Sequence, residues 1–191
     1  MRLGALLALA GLCASGAIAQ DGSEGSASRT PETANRFLYT VFSQPDAGSV
    51  SYDVQTKDGA IVDDEALGAT PRVVSGRLKA FESTEPCKTR FILGNAQVTD
   101  SDGKWVLGDF ERTIEWGKIS KIERITSKVT DSDPVTKQVL KQRHLFGLWV
   151  TMRNNWQKLT LTTPSEEERN RAEFAIEFLR QGCSVANDTG F

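Results

Sequence analysis

The chain holds a single histidine, His144, set beside Lys141, Gln142 and Arg143. Nearby cations disfavour a protonated imidazole, and general acid–base work needs a partner that orients the ring. With no second histidine, an ordinary zinc site lacks its ligands. Asp100-Ser101-Asp102-Gly103 has the composition of a calcium loop. Aligned as one, it puts Val98 at the first ligand position and Asp109 at the last, where a bidentate glutamate is preferred. A turn is the better reading. Ser120, Ser127 and Ser165 lie in no Gly-x-Ser-x-Gly elbow. There is neither a glycine-rich phosphate loop nor a His-Glu-x-x-His motif. The expectation is therefore no catalytic residue, no metal ligand and no cofactor. A pair of carboxylates brought together from distant positions is the one catalytic device left open.

Cysteines and tryptophans carry more. Cys13 falls within a targeting segment, so Cys87 and Cys183 remain as an even pair in an exported chain. An oxidising compartment favours their pairing. Closing so long a loop contributes about 4–5 kcal/mol on the chain-entropy argument, less any strain. No Cys-x-x-Cys exists, so the bond is expected to be structural and not redox-active. Trp105, Trp116, Trp149 and Trp156 fall within one third of the chain, and indoles combine large apolar area with a polar edge. Trp156 follows Asn154-Asn155 at an expected hairpin tip and heads the candidate ligand contacts, with Trp149 and Trp105. Trp116 is expected inside. Lys118, Lys121, Arg124 and Lys128 face Lys137, Lys141 and Arg143 across a turn, diluted by Glu123, Asp131 and Asp133. That set reads as a solvated, edge-protecting surface.

The targeting segment is residues 1–19. Met1-Arg2 is a short basic start, Leu3 to Leu12 an apolar run, and Ala17-Ile18-Ala19 a small-x-small cleavage signal. The run is too short for a membrane span, and Leu12 is too large to precede a lipidated Cys13. Removing 19 of 191 residues leaves 172, enough for one domain with a proper core. Basic residues fall to 22 (23 less Arg2) against 25 acidic. This balance lacks the basic excess of nucleic-acid binders. The expected division is a signal peptide at 1–19, a disordered lead-in at 20–29, one domain at 30–183 and a flexible tail at 184–191. The expected location is the periplasm or the outside medium.

The elements that position these residues begin with a helix over 163–183. Thr163 is expected to cap it, Pro164 to take its first position and Glu166 to complete a capping box. Ala172, Ala175, Ile176, Leu179 and Cys183 follow one buried stripe, with Phe174 and Phe178 beside it. Gly182 is expected to stop it. Thr30-Pro31-Glu32 opens an earlier helix whose apolar face is Ala34, Phe37, Leu38, Val41 and Phe42, ended by Pro45. Between them the period is two, as in Val50, Tyr52 and Val54. Gly76 allows a bulge, Pro86 breaks a strand, and Ile119, Ile122 and Ile125 fit a bulged strand. Residues 135–145 fit a strand or a short helix, and 148–161 a hairpin. The fold class is α+β: an N-terminal helix, a curved antiparallel sheet or partly closed barrel, and a C-terminal capping helix.

Lys118-Ile119-Ser120-Lys121-Ile122-Glu123, the Lys158-Leu159-Thr160-Leu161 strand and the helix start at Ser165 resemble pleckstrin-homology-like barrels. The resemblance covers the C-terminal half and implies a curved sheet closed at one end by a final helix. Phosphoinositide binding is not carried over, because the early basic loop that supports it has no matching cluster here. Fold alone does not give function. The expected function is a non-catalytic envelope protein that binds or scaffolds an envelope protein or a small ligand through the sheet face or strand edges. A small carboxylate-dependent hydrolase and a carrier of lipid or another hydrophobic ligand are the alternatives, and the oligomeric state is left open.

Overall fold

Two helices bracket eight strands in the computed structural model, which describes residues 29–62, 68–100, 103–132, 136, 138–153 and 157–189. The expected signal peptide, the lead-in up to residue 28, and Trp156 lie outside the described residues. Helix α1 (Pro31–Phe42) is followed by β1 (Val50–Lys57), β2 (Ala60–Val62), β3 (Thr70–Glu85), β4 (Lys88–Asp100) and β5 (Gly103–Glu115). A 3-10 turn (Trp116–Lys118) leads to β6 (Ile119–Ser132), β7 (Val139–Met152), β8 (Lys158–Thr163) and α2 (Glu166–Thr189). The fold is α+β.

All strands pair antiparallel in the order β5-β4-β3-β1-β8-β7-β6, with β2 beside β1. β1 belongs to both halves, pairing along β3 and touching β8 only at Ser51 and Tyr52. β5 and β6 are consecutive in the chain yet form opposite edges. Laid flat, edges six strand spacings apart would be separated by roughly 29 Å. The three residues between Glu115 and Ile119 span at most about 14 Å. The sheet must therefore curl until its two edges approach at the 3-10 turn. Bulges assist: the register slips on either side of Gly76 and after Leu93, where Asn95 has φ 51°. The bulge expected in 119–125 lies between Ile119 and Lys121.

Inside the curl, Tyr52, Phe91 and Phe110 meet ring to ring at 5.4–6.4 Å. Leu148, Val150, Leu159 and Leu161 continue this core, and Trp116 is 1% exposed, as expected. α1 packs against β3 and α2, and α2 lies over the 3-10 turn.

Two local expectations are corrected, and one open alternative is decided. Thr163 does not cap α2 but ends β8, paired with Phe146. The cap falls two residues later, where the Glu168 N–H donates to the Ser165 hydroxyl at 3.3 Å. Ser165 and Glu168 repeat the capping-box spacing, so the ladder keeps Thr163 while Ser165 serves the helix. Gly182 does not end α2, which runs to Thr189. A glycine inside a helix costs about 1 kcal/mol but does not forbid it, and Cys183 anchors the adjoining turn. Residues 139–145 are strand, because β6 offers them a ladder down to Ser132.

Candidate functional site

The disulfide expected from composition joins Cys87 to Cys183, with Cα atoms 5.3 Å apart and a sequence separation of 96. Cys87 occupies the two-residue turn between β3 and β4, after Pro86, with φ 66°. Proline then a positive-φ residue is the arrangement of a type II turn, which prefers glycine at that second place. The turn accepts a cysteine there and so presents its sulfur to α2. Around it sits a buried polar chain. The Trp116 indole N–H donates to the Thr89 hydroxyl at 2.7 Å, and that hydroxyl donates to Asn35 Oδ1 at 2.9 Å. Asn35 is on α1, Thr89 on β4 and Trp116 in the 3-10 turn, so three elements share one satisfied network.

At the other end of α2, Glu168 accepts from the Thr163 hydroxyl at 2.6 Å and from Gln44 Nε2 at 3.1 Å. Arg124 on β6 reaches Glu173 at 2.7 Å. Both ends of α2 are thus fixed, and α1 is fixed beside it.

Between the helices runs a groove of about 590 Å³, open to solvent. Its floor is Ala34 and Phe37 from α1 and Ala175 and Phe178 from α2. Phe37 and Phe178 are half-buried against the core, whereas Phe174 is 58% exposed on the groove wall. Arg29 lies over the Phe174 ring at 5.2 Å and Arg171 over the Phe37 ring at 4.9 Å. Glu167 stands one helical turn before Arg171, an order that favours an ion pair along the helix. The two do not pair. Arg171 lies on Phe37 instead, and Glu167 has no ion-pair partner among the described residues. The groove therefore offers three rings, two alanines between them, and charges of both signs left for an incoming surface.

The residues singled out by sequence fare differently. Trp149 is 40% exposed on the outer face of β7, with the Lys158 ammonium 5.3 Å from its ring. Trp105 packs against the core from β5. The two stand on strands far apart in the sheet order and on opposite faces, so they do not form one surface. Asp53, near Lys158, is pushed up from the ordinary aspartate range by burial, with Lys158 opposing. The cleft it lines contains no second carboxylate.

His144 is exposed, opposite Lys128 on β6. Ser120 donates to the Thr151 and Met152 carbonyls, bracing the bulge. Among the described residues no cluster of three or more His, Cys, Asp or Glu side chains could hold a metal ion. No described helix is long and apolar enough to cross a membrane.

Sequence reasoning put Phe174 and Phe178 beside the buried stripe of α2 and Phe37 on the apolar face of α1, without assigning them a role. The available signal was an apolar arc too wide for one buried face: Phe174 and Phe178 on α2, and Phe37 on α1. Comparison with protein families, with curated proteins and with solved structures finds no match to this chain.

Proposed function

We propose that the chain is an exported, non-catalytic envelope protein, periplasmic or released, that works as a binding or scaffolding module through the groove between α1 and α2. The observation that carries this reading is the exposed Phe174 beside Phe37 and Phe178, flanked by Arg29, Glu167 and Arg171. A solvent-facing aromatic cluster with charged rims has the make-up of a protein-recognition patch, in which a few rings supply most of the binding energy. The occupant is a protein surface presenting an apolar side chain between charges of both signs. An open groove suits it better than a free lipid, which needs enclosure over most of its area. Export is supported by the leader pattern and by the disulfide.

The scaffold in this reading is a pleckstrin-homology-like barrel. Support comes from the strand order: four strands and three strands meeting at β1, followed by a helix lying over the open end. α1 is an addition to that plan, and it is the addition that makes the groove.

Anilinonaphthalene sulfonate, an aryl anion, tests the site. Its fluorescence should rise on the folded protein. Phe174→Ala should weaken binding roughly tenfold, the scale of one lost aromatic contact, and Trp149→Ala should leave it unchanged. Binding lost with Trp149→Ala but kept with Phe174→Ala would move the site to the sheet and end the groove reading.

A further inference from the structure

The geometry points to a second copy of this chain as the surface that seats on the α1–α2 groove, through a two-fold contact of α2 with α2. This inference rests on the groove reading above and names its partner.

A two-fold interface must be self-complementary, since one patch meets itself. The groove has the required pairs. Phe174 projects from α2 one turn beyond Arg171 and flanks the charged pair on the same side of the helix. Glu167 and Arg171 stand one turn apart on α2 and leave each other unpaired, because Arg171 lies over Phe37. When two such helices cross antiparallel, Glu167 of each copy comes opposite Arg171 of the other. Two intermolecular ion pairs then form at no cost to an internal one. A rim carrying both signs suits a copy of itself better than a uniformly acidic or basic partner. The helix that carries these residues is clamped by Cys183 and Glu168, so the patch is pre-organised and little ordering cost attends association.

Sedimentation velocity on the oxidised, folded chain across a concentration series provides the test. Wild type should pass from monomer to dimer as concentration rises. Phe174→Glu should raise the dissociation constant by roughly 30-fold or more, the scale of a central hot spot. Arg171→Glu and Glu167→Arg should each be monomeric where wild type is dimeric, since each sets like charges against each other twice. Mixed in equal amounts, these two variants should form a heterodimer, because every facing pair is again opposite in sign. Circular dichroism melts matching wild type confirm that the variants fold, as expected for exposed positions.

Wild type that stays monomeric to about millimolar concentration, or a mixture that fails to associate, overturns the dimer. The dye experiment separates that failure from failure of the groove itself. If Phe174→Ala still loses the dye while wild type is monomeric, the groove stands and its partner is a different protein. If neither dye nor copy binds, both readings fall.

Discussion

Aromatic rings lie under cations on two faces of this protein, in very different company. On the helical face, Phe37 and Phe174 sit beneath Arg171 and Arg29, with Phe178 and two alanines completing a groove from two helices. On the outer sheet face, Trp149 lies alone under Lys158, with Asp53 nearby. A cation over one ring on a sheet is a common way to cover apolar area and contributes about 0.5–1 kcal/mol at an exposed site. Rings converging from two separately anchored helices make a concavity. The difference is in the anchoring. The helical face is held by a disulfide and a buried three-residue hydrogen-bond chain, while Trp149 depends on its strand alone.

The contrast is broken most severely by cutting the clamp. Cys87→Ser with Cys183→Ser should cost about 2–5 kcal/mol of unfolding free energy, read by urea denaturation against oxidised wild type. Hydrogen exchange should rise first in the second half of α2 while the β7–β8 ladder stays protected. Uniform loss of protection would mean that the bond supports the whole fold and not the helical face. Next in size, Thr89→Val strands the Trp116 N–H and the Asn35 carbonyl oxygen in the core. A loss of about 1–3 kcal/mol is expected, with weaker dye binding in the groove because α1 loses its register. Dye binding that survives intact would show that α1 is held by packing alone.

Smaller changes sharpen both sides of the comparison. Burial raises the Asp53 carboxyl, so the folded state binds its proton more tightly than the unfolded chain does. That preference favours folding at low pH and is lost as pH rises through the folded value. Asp53→Asn should therefore raise the melting temperature at neutral pH, and the gain should shrink as pH falls through the usual aspartate range. A gain that persists unchanged in acid would rule out the charge as its cause. The smallest effect belongs to Glu177, which Arg180 holds below the ordinary glutamate range through hydrogen bonds of 2.9 and 2.6 Å. Its contribution is present above the unfolded value and disappears as pH falls through the folded one. The pair is partly exposed and screened, so Glu177→Gln should cost about 0.3–0.5 kcal/mol at neutral pH, with no difference in acid.

Local chemistry along the chain was enough for the α+β class, for both helices, for the inward Trp116 and for the disulfide. Thr30 and Pro31 start a helix by their own geometry: Thr30 accepts the Thr33 N–H at 3.2 Å. Once Cys13 is set aside with the expected leader, the two remaining cysteines have one partner each. Alternation from Val50 to Val54 marks a strand wherever it lies. These inferences need only neighbours within a few residues.

What tertiary structure alone decided is which surfaces converge. Whether Thr163 or Ser165 caps α2 depended on β7 claiming Thr163 for its ladder. Whether 139–145 is helix or strand depended on β6 offering a partner. That Phe37 shares a groove with Phe174 and Phe178, while Trp105 and Trp149 face apart, depends on strand order and helix docking across more than a hundred residues. Periodicity reports that a side chain leaves the stripe of its own element. Only the packed neighbour determines whether it then meets solvent, core or another ring.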